Sequence, residues 1–285
     1  MNFSENFRIA LRALAANKLR SALTMLGIII GVGAVVALMA IGQGATAEIT
    51  NQVQGIGANV IFVFPGRQNQ GGGQATPGFL YYEDYQALAK NLDNIVGIAP
   101  AFDRNATATY GKQSVDVSVT ATTPQFGPVR VYEAEYGRFL TEADRARKAP
   151  VAVIGTQTAR DLFGGLNPVG RTIKIAGVSF EVVGLLKSKG SSGFGNADEI
   201  VIVPLETAYE KLLGANATEN GKRRVTSIYI SAANPDVAND VIVQTERILR
   251  RQHNLKLTDE LDFTALSQTA FLSALTTITA TLTVF

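Results

Sequence analysis

Residues 21–41 read Ser21-Ala22-Leu23-Thr24-Met25-Leu26-Gly27-Ile28-Ile29-Ile30-Gly31-Val32-Gly33-Ala34-Val35-Val36-Ala37-Leu38-Met39-Ala40-Ile41, a run without a single charge. At 1.5 Å per residue, about 20 helical residues cross a hydrocarbon core of about 30 Å, so this run predicts a transmembrane helix. A buried helix of a soluble domain is one rival reading. A cleaved signal peptide is another, and Ala45-Thr46-Ala47 imitates a cleavage site. Signal peptides, however, carry an apolar region of only about 7–15 residues. The length favours a span.

Its direction follows from its flanks. Arg8, Arg12, Lys18 and Arg20 precede the run with Glu5 as the one acidic residue, a local balance of +3, while positions 42–66 hold no Lys or Arg. Cytoplasmic flanks are enriched in basic residues, so residues 1–20 are expected in the cytoplasm and everything after Ile41 outside it. Phe3, Phe7, Ile9, Leu11, Leu14 and Leu19 recur near helical spacing between those cations. Residues 1–20 therefore read as a cytoplasmic amphipathic segment that can lie in the interface, simple cytoplasmic anchoring being the alternative. The rest of the chain balances to −1, so its basic character is confined to this end and does not form a nucleic-acid-binding face.

Within the span, Gly27 and Gly31 form a small-xxx-small pair that can admit a second helix closely, and they are the candidate helix-packing residues. Gly31-Val32-Gly33 begins a nucleotide-binding pattern, but it lies inside an apolar run and not in a strand-to-helix turn. Glycine is also common in spanning helices without a special role, which is the alternative to helix packing.

Beyond the span, positions 42–54 extend the helix as a stalk. Asn59 to Phe64 reads as a buried strand stopped by Pro65-Gly66, and Gln68 to Gly78 as a flexible polar loop. Tyr82–Leu92 suits a helix. Gln113–Ala121 alternates as a half-buried strand, with Val115, Val117 and Val119 on one face. Val151–Ile154 is a strand followed by a helix through Phe163. Arg171–Ile175 and Val178–Leu186 form a hairpin about Ala176-Gly177. Strands at Val201–Val203 and Val225–Ile230 and a helix over Asp236–His253 complete the series. Strands and helices without a βαβ rhythm indicate an α+β fold. The expected organisation is an extracytoplasmic domain over 42–262, of two subdomains, with about 123–225 inserted into a unit built from both flanks. Phe263 to Phe285 is again uncharged and reads as the start of a second, truncated transmembrane helix with Asp262 as its N-cap. The chain is thus expected to be a fragment or truncation.

Composition excludes much chemistry. With no Cys and one His, disulfide frameworks and most metal sites are ruled out. His253 follows Arg250 and Arg251 near a helix end, where a capping or surface role suits it better than catalysis. Glu83-Asp84 need only stabilise a helix start. The phosphate-cradling G-x-x-x-x-G-K-[ST] pattern is missing, so no catalytic, cofactor or metal residue is expected here. Lys187–Asn196 is a second glycine-rich stretch. Its Gly190, Ser191, Ser192, Gly193, Phe194 and Gly195 make either a plain hairpin connection or a partner-binding loop.

The chain resembles the MacB/FtsX-type ABC transporter permeases in their first span and MacB-like periplasmic core domain. The resemblance rests on Asn17-Lys18-Leu19-Arg20-Ser21, Leu23 to Gly31, Pro65-Gly66, Thr122-Thr123-Pro124 and Gly137-Arg138-Phe139-Leu140 with Asp144. Val151 to Gly155, Leu162-Phe163-Gly164, Asn167-Pro168-Val169-Gly170, Val182-Val183-Gly184 and Val203-Pro204-Leu205 continue it in family order. It implies an inner-membrane permease subunit of four spans, working as a homodimer with a cytoplasmic ABC ATPase that carries the ATP and Mg. In such permeases that ATPase is either fused or a separate chain, and Met1 directly before the anchor favours the expectation of a separate one. It also implies mechanotransmission, efflux of peptides, antibiotics or lipoproteins, and, in one branch, a periplasmic adaptor and outer-membrane channel. A membrane-anchored scaffold and an FtsX-like regulator of cell-wall hydrolases are the alternatives.

Overall fold

The computed structural model describes residues 7–9, 16–54, 59–68, 76–192, 195–268 and 270. The chain divides into two compact units, Met1–Glu48 with Ala274–Phe285, and Ile49–Ser273.

The first unit is dominated by helix α1, Lys18–Gln54. Its stretch Lys18–Ala40 is long and apolar enough to cross a membrane. Leu23, Leu26, Ile28, Ile29, Ile30, Val32, Val35, Val36 and Met39 are all exposed. A helix apolar on every side is unstable in water and suited to lipid. The amphipathic segment expected over residues 1–20 falls mainly on positions outside the described residues, as does the second span over 271–285.

The second unit is built on a ten-stranded sheet. Its strands are β1 Val60–Pro65, β2 Ile95–Tyr110, β3 Gln113–Thr122, β4 Ala134–Gly137, β5 Val151–Ile154, β6 Thr172–Ile175, β7 Val178–Leu186, β8 Ile200–Pro204, β9 Ser227–Ala232 and β10 Phe263–Ser267. The helices are α2 Tyr82–Asn91, α3 Phe126–Arg130, α4 Glu142–Ala146, α5 Thr156–Phe163, α6 Leu205–Lys211 and α7 Ala238–Gln252. The spatial order is β10-β1-β9-β2-β3-β8-β5-β7-β4, and β6 pairs with both β7 and β2. That last pairing, through Ala108 opposite Ile175, closes β2, β3, β8, β5, β7 and β6 into a ring.

Alternation then decides what each face buries. Inside the ring lie Phe102, Ala108, Val117, Val119, Ile154, Ile173, Ile175, Phe180, Val182, Val201 and Val203, capped by Leu162, Phe163 and Leu205 from α5 and α6. On the open part of the sheet, Ile61, Val63, Ile98, Ile228 and Ile230 pack beneath Leu88 of α2 and Val241 and Leu249 of α7. The opposite face, with Val60, Phe62, Val153, Ile202 and Tyr229, is covered by Phe126 and Val129 of α3.

The stretch Gly137-Arg138-Phe139-Leu140 with Asp144 has a structural explanation. Gly137 ends β4 at φ +75°, and a Cβ there would lie 2.2 Å from the Val183 carbonyl oxygen. The chain then turns into α4, capped by Thr141. Asp144 accepts from the Thr141 backbone N–H at 2.9 Å and its hydroxyl at 2.7 Å, while Arg138 donates to both carboxylate oxygens at 2.5 and 3.0 Å. This is a capping box braced by an ion pair. Burial works against the Asp144 carboxylate, but these bonds outweigh it and hold its pKa below the ordinary value.

Three expectations are corrected. Phe263–Ser267 is a strand and not the start of a helix: Phe263 and Ser267 are buried while Thr264 and Leu266 face out, a period of two. Asp262 accordingly caps nothing. Val225–Ile230 is interrupted at Thr226, whose N–H donates to the Ala101 carbonyl. Arg224 and Val225 pair instead with Tyr81 and Leu80, and β9 starts at Ser227. Arg67–Gln68 pairs with Thr76–Pro77, so the polar loop is flanked by a short ribbon; positions 69–75 lie outside the described residues.

Candidate functional site

The two strands nearest the unit's ends lie side by side at one edge of the sheet. β1 follows α1 in sequence, and β10 precedes the C-terminal run. Their antiparallel register sets Ile61 opposite Ser267 and Pro65 opposite Phe263. The start of β1 and the finish of β10 therefore coincide at one end of the pair.

The other end of this pair is held by a buried cluster. Past Pro65, the Gly66 N–H donates to the Asp262 carbonyl at 2.7 Å, and the Gly78 N–H donates to the Gly66 carbonyl at 2.9 Å. The fit leaves no room, since a Cβ on Gly78 would lie 1.9 Å from the Asp262 carbonyl oxygen. The Asp262 carboxylate accepts from His253 Nδ1 at 2.8 Å, and His253 Nε2 donates to Asp84 Oδ2 at 3.1 Å. Asp84 also accepts from the Tyr81 N–H at 2.7 Å. One imidazolium thus joins the end of α7, the start of α2 and the approach to β10.

His253 does cap α7, but it is not a surface residue: its side chain is 7% exposed, against 5% for Asp84 and 20% for Asp262. Burial, the largest influence, disfavours the cation. The bonds to Asp262 and Asp84 outweigh it and raise the pKa to about 9, so the ring is charged at neutral pH. Both ring nitrogens are engaged by carboxylates, which leaves neither to take a proton from a nucleophile. This is a clamp. Sequence spacing gave no sign of it, because Asp84 lies 169 positions from His253.

The other candidate residues stay apart from this cluster. Gly27 and Gly31 lie on α1 with open space where a Cβ would stand. Ser191–Ser192 pairs with Gly195–Asn196 as a small ribbon, while Gly193 and Phe194 lie outside the described residues. Asp198 fastens its base, accepting from Ser188 Oγ at 2.7 Å, the Lys189 N–H at 2.9 Å and the Gly190 N–H at 3.2 Å. The described part of the loop is a hairpin with an anchored base. Among the described residues no group of three or more His, Cys, Asp or Glu could hold a metal ion.

A helix long and apolar enough to cross a membrane thus precedes a mixed α/β unit whose first and last strands pair. The MacB-like periplasmic core domain family matches residues 21–248, and the chain belongs to it. It is 39% identical over 219 residues to the macrolide export ATP-binding/permease protein MacB of Azoarcus sp., covering 76% of this chain and 33% of that protein. It is 31% identical over 261 residues to the MacB of Bdellovibrio bacteriovorus, covering 90% and 39% respectively. The chain thus spans between a third and two fifths of these relatives. In fold it is similar to the crystallised periplasmic region of MacB from Actinobacillus actinomycetemcomitans, with a TM-score of 0.61, 21% identity and 78% and 95% of the two chains covered. The extracellular domain of the noncanonic ABC-type transporter YknZ follows at a TM-score of 0.59 and 18% identity, over 73% and 100%.

Proposed function

We propose that this chain is part of the permease subunit of an ABC-type export or mechanotransmission system. In this reading the domain lies on the periplasmic side, with the N-terminus in the cytoplasm. A cytoplasmic ATPase binds ATP and Mg, and its cycle shifts the external domain through α1 and the C-terminal run. The carrying observation is the β1–β10 pair: both connections leave the domain at one place, so movement of either acts on the same sheet edge. The clamp at His253 supports this by tying the edge to α2 and α7. Two copies, packed through Gly27 and Gly31, form the working unit, and the inserted subdomain, about 123–225, is the moving lobe. The loop Gly190–Gly195 receives a periplasmic adaptor that leads to an outer-membrane channel. The cargo is an antibiotic, a peptide or a lipoprotein.

The test reconstitutes the full-length permease with its ATPase in nanodiscs. Deleting residues 55–260 is expected to abolish the dependence of ATP turnover on complex formation. Unchanged, fully coupled turnover would overturn the mechanism. Orientation is checked separately, using the chain's freedom from cysteine. Lys112→Cys lies in the exposed turn between β2 and β3 and should react with a membrane-impermeant maleimide in cells whose outer membrane alone is permeabilised. Labelling only after lysis would reverse the orientation.

A further inference from the structure

Arg130, the last residue of α3, is 8% exposed, yet no ion pair joins it to a described carboxylate. Its guanidinium carbon lies 4.5 Å from the ring centroid of Tyr229, 5.4 Å from Phe62 and 5.9 Å from Phe126. Its Nε is buried without a hydrogen-bond partner. Aromatic faces attract a cation, but they supply no acceptor for the five N–H groups of a guanidinium. Leaving such a donor buried and unmatched is costly, and buried arginines are ordinarily paired.

The side chain lines a cavity of about 280 Å³, together with Phe64, Phe126, Tyr132, Tyr229 and Asp103. Asn196, at the foot of the glycine-rich ribbon, also borders it. A second cation stands close by. Lys189 donates to the Arg130 and Val131 carbonyls at 2.6 and 3.1 Å, with Nζ 4.4 Å from the Tyr132 ring centroid. Asp103 is the one carboxylate on the wall. Its oxygens accept from Thr120 at 2.6 Å, Thr226 at 3.1 Å and Ser227 at 3.3 Å, so they are satisfied without Arg130.

We propose that this cavity binds a monoanionic carboxylate carried on a short apolar stem. The planar fork of a guanidinium matches a carboxylate through two parallel bonds, and the rings of Phe64, Tyr132 and Tyr229 suit the stem. Asp103 on the same wall repels a dianion such as phosphate and so selects a single charge. A free organic acid and a polypeptide C-terminus both present this chemistry. The site does not depend on the permease reading.

The probe is 3-phenylpropanoate, titrated calorimetrically into the full chain in detergent, with 3-phenylpropanamide as its uncharged twin. Saturable binding of the acid and none of the amide is expected. Arg130→Lys, which keeps the charge and loses the fork, should weaken binding roughly tenfold, and Arg130→Met should abolish it. Asp103→Asn, a variant that leaves the guanidinium in place, should strengthen it. Arg130→Met should also melt no lower than the parent in the absence of acid, because it removes an N–H that is buried without a partner; a purely structural arginine would give a clear loss. A tetrapeptide ending in phenylalanine, compared with its C-terminal amide, identifies the source. Tighter binding of the free peptide than of phenylpropanoate assigns a polypeptide terminus, and the reverse assigns a small acid. Absence of saturable binding to either acid, equal binding of acid and amide, or binding unaltered in Arg130→Met would overturn the proposal.

Discussion

His253→Ala is expected to destabilise the domain by about 3 kcal/mol at pH 7, because it leaves two carboxylates facing each other with no cation between them. Asp84 has almost no access to water, whereas Asp262 is partly open, which places the loss at the lower end of the range for a broken buried pair. The parent should also show a matching pH dependence. The folded pKa, about 9, lies above the ordinary 6.5, so the folded state binds the proton more tightly. The contribution is therefore complete below pH 6.5 and is lost as pH rises through 9. After allowance for solvent screening it amounts to roughly 2 kcal/mol. The gap in melting temperature between the parent and His253→Ala should be full near pH 6.5 and shrink as pH rises towards 9. A variant that keeps the parental slope would show that the clamp is not protonated as described.

Phe180→Ala should cost about 4 kcal/mol, the ordinary consequence of emptying a fully buried aromatic site. Phe180 is 0% exposed and sits inside the ring, opposite Ile173 of the neighbouring strand. The form of the transition is as informative as its size. β2 pairs with β9 through residues 95–101 and with β3 and β6 farther along, so one strand belongs to both the ring and the α2/α7 layer. Unfolding in denaturant should move to a lower midpoint as a single step with unchanged slope. Two separated steps would mean that the ring melts independently of the rest.

The α1 span was legible because lipid demands length and freedom from charge, and both are visible in 21–41. Most strands were legible for a similar reason: Val151–Ile154 and Ile200–Pro204 are short apolar runs, and Val178–Leu186 is preceded by a clear turn at Ala176-Gly177. β2 escaped the reading. It contains Gly97, Pro100, Asp103 and Asn105, and proline within a central strand argues against that assignment. The structure resolves this, because β3 ends opposite Ala101, so at Pro100 only β9 is paired. β10 was misread for the opposite reason. Five uncharged residues inside a longer uncharged stretch carry too little alternation to be told from a helix. The sites were less legible still. Asp84, His253 and Asp262 meet through tertiary packing, and nothing in the residues around Arg130 marks it as buried beneath three rings.

The juxtaposition of β1 and β10 also has a mechanical consequence. Chain continuity loads both strands from the same end, next to the Ile61–Ser267 pairing. If the two connections were pulled in opposite directions, the hydrogen bonds between the strands would bear the force one after another, as the teeth of a zipper do. If both were displaced together, none of those bonds would be stretched. The domain should therefore ride intact on motion shared by its two connections and peel open at this edge when they diverge.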